Sequence, residues 1–364
     1  MGFEPRFMAL EIAISLGLGG LLFYYGMRLG KRLVRFGVTA NDLFQGKPLL
    51  FIPFLLVYIA LIILALNIPQ MPIFPIPWRV AGLRVTWTIL RVVLLGTCGI
   101  GWMVAWKTAR RQAIAVILIA ILGFGGFSAA EAYVLAPIYS DLQDNLRPNG
   151  IYRQTSNSSC APAALATLLR YWNIDAPESE VARLAGTSRL GTTMPQLIVA
   201  ARELGMEGVE MKATWEQVQA VNRPGILGVW LIAGSRKLPH AVTLVAMSDR
   251  YALIADPARG RFYNLNRTEF AEIWRQQYVP IFQPSEATLT PQQAADYLQR
   301  LGYDAEPQNL KAALRRFQRG IGWRETGELD SETSLLLQGR FLNNVPTLAP
   351  RAEVSLAGDP PQQK

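Results

Sequence analysis

Apolar stretches dominate the first third of the chain and limit what it can fold into. Four of them reach about twenty residues, the length of helix that crosses a hydrocarbon core of about 30 Å. They cover residues 7–27, 48–67, 85–106 and 113–130. The sequence therefore predicts a four-helix transmembrane region over residues 1–136, and an integral protein of the cell (plasma) membrane.

Three charged residues interrupt or end these stretches: Glu11, Arg91 and Glu131. Each falls near the expected outer end of its stretch, where a long side chain can extend to the headgroups. We therefore expect contact with headgroups and water for all three side chains, and no ion pathway.

Basic residues are concentrated on one side of the predicted membrane region. The loops after the first and third stretches hold eight, which are Arg28, Lys31, Arg32, Arg35, Lys47, Lys107, Arg110 and Arg111. The opposite side holds three, which are Arg6, Arg79 and Arg84. Because cytoplasmic loops carry the excess of Lys and Arg, both termini should face outward and the soluble part should be extracytoplasmic. The first stretch lacks a strongly basic start and a small-residue cleavage site, so we expect an anchor and not a removable signal peptide.

The composition narrows the classes of partner and cofactor. The formal net charge is +9, but many basic residues flank apolar stretches, where topology and anionic headgroups explain them, so nucleic acid is not an expected partner. The lone histidine, His240, excludes metal sites that need two or more histidines. No Gly-x-x-x-x-Gly-Lys-Ser/Thr phosphate loop occurs, so the sequence predicts neither ATP binding nor another cofactor.

The chain turns polar over residues 137–150, which predicts a linker that ends in a turn at Arg147 to Gly150. A globular domain should follow over residues 151–283. Its first half predicts helices over residues 161–172 and in a segment ending at Leu204. Its second half predicts strands at 225–232, 240–247 and 251–254. Helices followed by strands favour an α+β domain with an antiparallel sheet.

Cys160 lies at the start of the predicted helix. Unpaired amides and the helix dipole lower the pKa of a thiol at a helix N-terminus. Since Cys98 lies in an apolar stretch, a disulfide between the two cysteines is not expected, and Cys160 should be a free thiol. Gln154 precedes it by six residues and offers a side-chain amide to an oxyanion. A buried structural cysteine is the alternative interpretation.

His240 opens a strand-like run, and Asp256 follows sixteen residues later, after a turn at residues 248–250. The two strands could form a hairpin that brings the carboxylate beside the imidazole. A carboxylate there would hold the imidazole in the required tautomer and stabilise its charged form. A structural histidine and an ordinary strand-ending Asp-Pro turn are the alternatives.

These segments together resemble the bacteriocin-processing cysteine peptidases, papain-like enzymes that cut double-glycine leader peptides. The resemblance is carried by residues 154–164, 191–193, 239–242 and 256–257, with Trp274 downstream. It implies that Cys160 is the nucleophile, His240 the general base and acid, Asp256 the orienting carboxylate and Gln154 an oxyanion donor. A peptide or protein substrate follows from this resemblance.

The remaining sequence predicts a small all-α bundle of three helices over residues 290–341, followed by a disordered tail over 342–364. Leu298 and the segments 301–303, 313–318 and 327–333 are similar to peptidoglycan-binding modules. Residues 304–308 replace the glycine-rich loop that normally joins the first two helices of such modules. The similarity implies peptidoglycan as a further partner.

The resulting prediction is a membrane-anchored cysteine peptidase that acts outside the cytoplasm and is held near the cell wall. Two other functions stay open at this stage. One is an amidase or endopeptidase that cuts the stem peptides of peptidoglycan. The other is an inactive wall-binding scaffold with a papain-like fold.

Overall fold

The computed structural model of this protein describes residues 5–41 and 52–348. The chain divides into two compact units, Met1–Pro137 and Ile138–Lys364, which are taken separately here.

The N-terminal unit consists of helices. They are α1 (Pro5–Arg35), α2 (Ile52–Asn67), α3 (Ile76–Thr108) and α4 (Arg110–Val134). Three helical segments in the described ranges are long and apolar enough to cross a membrane, namely Leu10–Arg35, Ile76–Thr108 and Arg110–Val134. The described part of α2 has 16 residues, and residues 48–51 of the predicted second span lie outside the described ranges. A fourth span therefore stays a prediction.

The charges in these helices are arranged differently from the prediction. The Arg91 guanidinium on α3 and the Glu131 carboxylate on α4 form an ion pair of 2.6 Å, and their side chains are only 3% and 10% exposed. The expected contact of both side chains with headgroups was therefore wrong. An unpaired charge buried between these helices would lose its hydration without compensation, and pairing between two helices reduces that cost.

An antiparallel sheet forms the centre of the C-terminal unit, with strand order β3-β8-β4-β5-β6-β7. The strands are β3 (Glu207–Gly208), β4 (Gly225–Ala233), β5 (Arg236–Met247), β6 (Tyr251–Asp256), β7 (Arg261–Asn266) and β8 (Trp274–Phe282). The helices before the last strand are α5 (Cys160–Leu169), α6 (Glu178–Ala185), α7 (Met194–Glu203), α8 (Trp215–Val221) and α9 (Arg267–Ile273). The α+β class and the three strand predictions are confirmed. The sequence analysis did not predict α6, α8, α9, β7 or β8.

Residues 138–150 belong to the folded unit and are not the predicted free linker. Strand β1 (Asn145–Leu146) pairs with β2 (Tyr152–Arg153), and the turn between them includes Gly150 at φ +84°. The Asp144 carboxylate accepts hydrogen bonds of 2.6 Å from both the backbone N–H and the hydroxyl of Ser179. The polar residues that suggested a linker instead form turns and cap a helix.

Three helices follow the sheet: α10 (Pro291–Arg300), α11 (Leu310–Gly320) and α12 (Ser331–Gln338). Their apolar faces share one hydrophobic cluster with the sheet, in which Phe317 and Leu335 belong with Val242 and Phe282. The Gln217 amide of α8 also donates to the carbonyls of residues 321 and 322, at 3.1 and 2.9 Å. Short helices bury little apolar area among themselves, so the separate domain predicted at 290–341 shares its core with the peptidase-like domain.

The predicted disordered tail was wrong for residues 342–348. Leu348 is 1% exposed, its N–H donates to the Asn222 side chain at 3.0 Å, and its carbonyl accepts from the N–H of Met247 at 2.8 Å. A segment without apolar periodicity is therefore ordered by contacts with the preceding fold. Residues 349–364 lie outside the described ranges.

Because one core serves the sheet and the C-terminal helices, Leu335→Ala should destabilise both. Leu335 is fully buried in the shared cluster, and such a truncation costs about 2–5 kcal/mol. We expect the free energy of unfolding of the full-length protein to fall by this amount in a single transition, monitored by circular dichroism in detergent. Leu190→Ala is the control, because Leu190 is 59% exposed. A separate early transition of the C-terminal helices would contradict the shared core.

Candidate active site

Helix α5 begins at Cys160, with Ser159 as its N-cap residue. The first amides of a helix have no partner within the helix and carry its positive partial charge. Pro162 is the third helical residue, where a missing N–H costs nothing. Every residue from Ala161 to Leu169 is buried, so the helix is fixed by its surroundings along its length. The thiol therefore lies at a rigid, electropositive position.

His240 is the first buried residue of β5, and Asp256 is the last residue of β6. These neighbouring antiparallel strands include a register shift between Leu244 and Ala246. The His240 Nε2 and the Asp256 Oδ1 lie 2.7 Å apart. The predicted hairpin and the approach of the carboxylate to the imidazole are therefore present. With Nε2 engaged, Nδ1 is the ring nitrogen free to face another group.

The Cys160 thiol and the His240 imidazole line the same cleft, and each shifts the pKa of the other. The α5 helix is tied to β5 by the Thr243 hydroxyl, which donates to the Ala164 carbonyl at 2.7 Å. This bond joins the second turn of the helix to the strand three residues after His240. It keeps the beginning of the helix and the beginning of the buried strand segment in contact.

The electrostatics of this pair favour the charged forms. Burial by itself raises the pKa of Cys160, but the hydrogen bond and charge of His240, with the backbone amides of Ala241 and Ala161, bring that pKa below its usual value. Burial by itself lowers the pKa of His240, but Asp256 and Cys160 together raise that pKa to about 9. The geometry therefore supports a thiolate beside an imidazolium at neutral pH.

Gln154 lies in the loop that leads to the helix. Its backbone N–H donates to the carbonyl of Pro257 at 2.9 Å, next to Asp256. Its side-chain amide donates to the carbonyl of Ser156 at 2.8 Å, which leaves its second N–H for another acceptor. The Gln154 Oε1 is buried without a hydrogen-bond partner. The side chain is thus held in the loop beside the thiol with donor capacity to spare.

A cleft of about 980 Å³ contains the reactive side chains Cys160 and His240 together with Gln154. Its walls combine polar and apolar residues. The other lining residues are Ile138, Asp141, Leu142, Arg153, Thr155, Ser156, Asn157, Leu231, Leu238, Pro239 and Ala258. Asp256 is not a lining residue and lies behind the imidazole. The cleft is large enough for a segment of polypeptide, with the thiol accessible from it.

Sequence reasoning missed Glu178, which lies close to this site. The Glu178 carboxylate is fully buried and accepts hydrogen bonds from the backbone N–H and the hydroxyl of Thr155, at 3.0 and 2.9 Å. The sequence signal was weak, because an acidic residue after a proline at a helix start is an ordinary complement to the helix dipole. Only the burial of the Glu178 side chain distinguishes it from an ordinary acidic residue at a helix start.

Comparison with known proteins places these residues in a described family. Residues 149–287 match the model of the Peptidase C39 family. An uncharacterized protein of Methanothermobacter marburgensis is 36% identical over 134 residues, which cover 37% of this chain and 89% of that protein. The chain belongs to the peptidase C39 family. This membership confirms the resemblance to processing cysteine peptidases and the assignment as a cysteine-type peptidase.

Two further relatives of this C39 peptidase carry descriptive names. The pediocin PA-1 transport/processing ATP-binding protein PedD of Pediococcus acidilactici is 27% identical over 124 residues, which cover 34% of this chain and 17% of that protein. The solved peptidase domain of Streptococcus ComA, a bi-functional ABC transporter of a quorum-sensing pathway, is 23% identical with a TM-score of 0.34. That match covers 37% of this chain and 98% of the ComA domain.

The pKa directions predict how the reactivity of Cys160 depends on pH in this C39 peptidase. In a Cys98→Ala background, iodoacetamide should alkylate Cys160 at neutral pH much faster than free cysteine, because its lowered pKa keeps it ionised there. As the pH rises through about 9, His240 loses the proton that makes it an acid, so peptidase kcat/KM should fall. The readouts are the alkylation rate and the kcat/KM profile.

The Asp256→Asn variant provides a comparison for the pH profile of kcat/KM. The carboxylate that helps raise the pKa of His240 is then gone, so the basic limb of kcat/KM should move to lower pH. Turnover should slow without vanishing, because an amide can still orient the ring. An unchanged basic limb in this variant would contradict the assigned electrostatics.

Proposed function

We propose that this protein is a membrane-anchored peptidase that hydrolyses peptide bonds through a Cys160 thioester. The placement of Cys160 and His240 on one cleft, with Asp256 at 2.7 Å behind the imidazole, is the observation that carries the proposal. Cys160 and His240 both line a cleft that can admit a polypeptide. This arrangement also speaks against an inactive scaffold, in which nothing would maintain a buried charged pair.

In the first half of the reaction, the Cys160 thiolate attacks the carbonyl carbon of the scissile bond and forms a tetrahedral oxyanion. The second N–H of the Gln154 amide and the backbone N–H of Cys160 are the donors available to that oxygen. The His240 imidazolium then protonates the leaving amine as the carbon–nitrogen bond breaks. A thioester of Cys160 and neutral His240 remain.

In the second half, His240 removes a proton from water, and the resulting hydroxide attacks the thioester carbon. The carbon–sulfur bond breaks and releases the new carboxyl terminus. The thiolate and imidazolium are restored. Asp256 holds the imidazole throughout, since Nε2 must remain engaged while Nδ1 transfers protons.

The proposed substrate is a polypeptide on the outer side of the membrane. The asymmetry of the basic loops supports an extracytoplasmic catalytic unit. PedD is named for transport, processing and ATP binding, whereas this sequence contains no phosphate-loop motif. Binding to peptidoglycan stays a prediction from the resemblance of residues 290–341.

Replacing the nucleophile tests the assignment directly. Cys160→Ala in the full-length protein, reconstituted in lipid nanodiscs, should abolish cleavage of a proteome-derived peptide library followed by mass spectrometry. Cys98→Ala is the matched control, because Cys98 is buried in the N-terminal unit, and it should cleave as the unaltered protein does. Peptide cleavage by Cys160→Ala would refute the mechanism. Cleavage of purified peptidoglycan but of no library peptide would favour the stem-peptide alternative.

Sidedness is tested in spheroplasts of an expressing bacterium. A membrane-impermeant maleimide should label Cys160 in the Cys98→Ala protein without lysis, because the catalytic unit is proposed to face outward. Cys98→Ala combined with Cys160→Ala should remain unlabelled and controls for background. Labelling that requires lysis would place the catalytic unit in the cytoplasm.

A further inference from the structure

Glu178 anchors the loop that leads to the nucleophile. This first residue of α6 has no exposed surface. One carboxylate oxygen accepts the backbone N–H of Thr155 at 3.0 Å, and the other accepts the Thr155 hydroxyl at 2.9 Å. Ser159, the N-cap residue of α5, lowers the pKa of this carboxylate in opposition to its burial. A single buried carboxylate thus holds the start of the loop from Thr155 to Ser159 by two hydrogen bonds.

Gln154 is fixed by this arrangement from two sides. Its own N–H is held by the carbonyl of Pro257 at 2.9 Å, and the next residue is held by Glu178. The Ser156 carbonyl, which accepts the Gln154 amide, also accepts the Ser159 hydroxyl at 2.9 Å. The direction of the Gln154 side chain therefore depends on a loop whose fixed points are Pro257 and Glu178.

The support under Glu178 is itself rigid. The adjacent residue of α6, Ser179, donates its N–H and its hydroxyl to Asp144, both at 2.6 Å. Burying a carboxylate is costly, and here burial raises the pKa of Glu178 although its hydrogen bonds oppose the rise. An apolar residue could fill the same space at lower cost, so a buried hydrogen-bond acceptor at this point calls for a specific contribution.

We propose that Glu178 is a positioning residue, which acts through Thr155 to aim the amide of Gln154 at the oxyanion formed on Cys160. The proposal rests on the proposed function. It assigns Glu178 no contact with substrate. Its contribution should appear in the transition state, when the oxyanion develops, and not in substrate binding.

A double-mutant cycle between Glu178 and Gln154 tests this coupling in the full-length protein. Glu178→Ala should lower kcat by about 10–100-fold with little change in KM, because a misplacement of about 1 Å in a catalytic group costs up to about 100-fold. In a Gln154→Ala background, Glu178→Ala should have almost no further effect, because the group that it positions is absent. If kcat of the double variant instead falls by the product of the two single-variant factors, the proposal is overturned.

Conservative and neighbouring variants separate positioning from general stability. Glu178→Gln should restore most of kcat, because its amide can accept the N–H of Thr155 and donate to the Thr155 hydroxyl. Glu180→Ala is the matched control on the same helix, at a partly exposed glutamate that pairs with Arg183, and it should leave kcat unchanged. Absence of rescue by Glu178→Gln would argue for a requirement other than these hydrogen bonds and would overturn the proposal.

The alkylation rate of Cys160 provides a second readout. It should be unchanged in Glu178→Ala, because ionisation of the thiol depends on His240 and not on the loop. An alkylation rate that falls together with kcat would indicate a collapsed site and would overturn the proposal. If Glu178→Ala does not fold, Thr155→Val removes one of the two hydrogen bonds with little change in shape, and the same lack of additivity with Gln154→Ala is expected.

Failure of the positioning proposal is distinguishable from failure of the proposed function. If Cys160→Ala retains peptidase activity, the nucleophile assignment fails whatever the cycle gives. If Cys160→Ala is inactive and the cycle is additive, the peptidase mechanism stands and only the role of Glu178 is withdrawn.

Discussion

The candidate site depends on one contact, in which the first turns of α5 pack against the start of the buried half of β5. This contact joins parts of the chain that lie about eighty residues apart. The Thr243 hydroxyl stabilises it by donating a hydrogen bond to the Ala164 carbonyl. Ala161, Ala163 and Ala164 are buried on this helix and are small enough for a close approach to the sheet. A larger side chain at these positions would move the thiol away from the imidazole. The chemistry of the thiol is therefore a consequence of packing as much as of residue type.

Two buried carboxylates support the pair from different directions. Asp256 contacts His240 and also accepts the backbone N–H of Ala258 at 2.9 Å, so its position behind the ring is fixed by the turn that ends β6. Glu178 contacts backbone and hydroxyl groups of the loop before the helix. The first stabilises a charge, and the second holds a conformation. In a region of low dielectric both interactions are strong, and both become costly when a partner is removed.

The extent of the catalytic unit is set by burial and not by the family match. The match ends at residue 287, whereas the hydrophobic cluster that contains the sheet continues to Leu348. Arg223, which is fully buried, pairs with Glu286 inside the matched region and links it to the following part by donating to the carbonyl of Pro346. A fragment cut at the family boundary would expose this guanidinium and the apolar cluster. The smallest piece that retains the whole core therefore extends to residue 348.

The sequence by itself determined the α+β class, the strands β4 to β6 and the chemistry that the chain carries, but not β7, β8 or α6. Apolar length predicted membrane helices, and branched and aromatic residues broken by turns predicted β4 to β6. The motifs around Cys160 and His240 indicated a cysteine peptidase. Tertiary structure alone decided which groups meet. It paired Arg91 with Glu131, buried Leu348, and brought Glu178 to Thr155. The physical reason is that periodicity and propensity act over a few neighbouring residues, whereas burial and the pairing of charges depend on partners that are distant in the chain and become neighbours only when it folds.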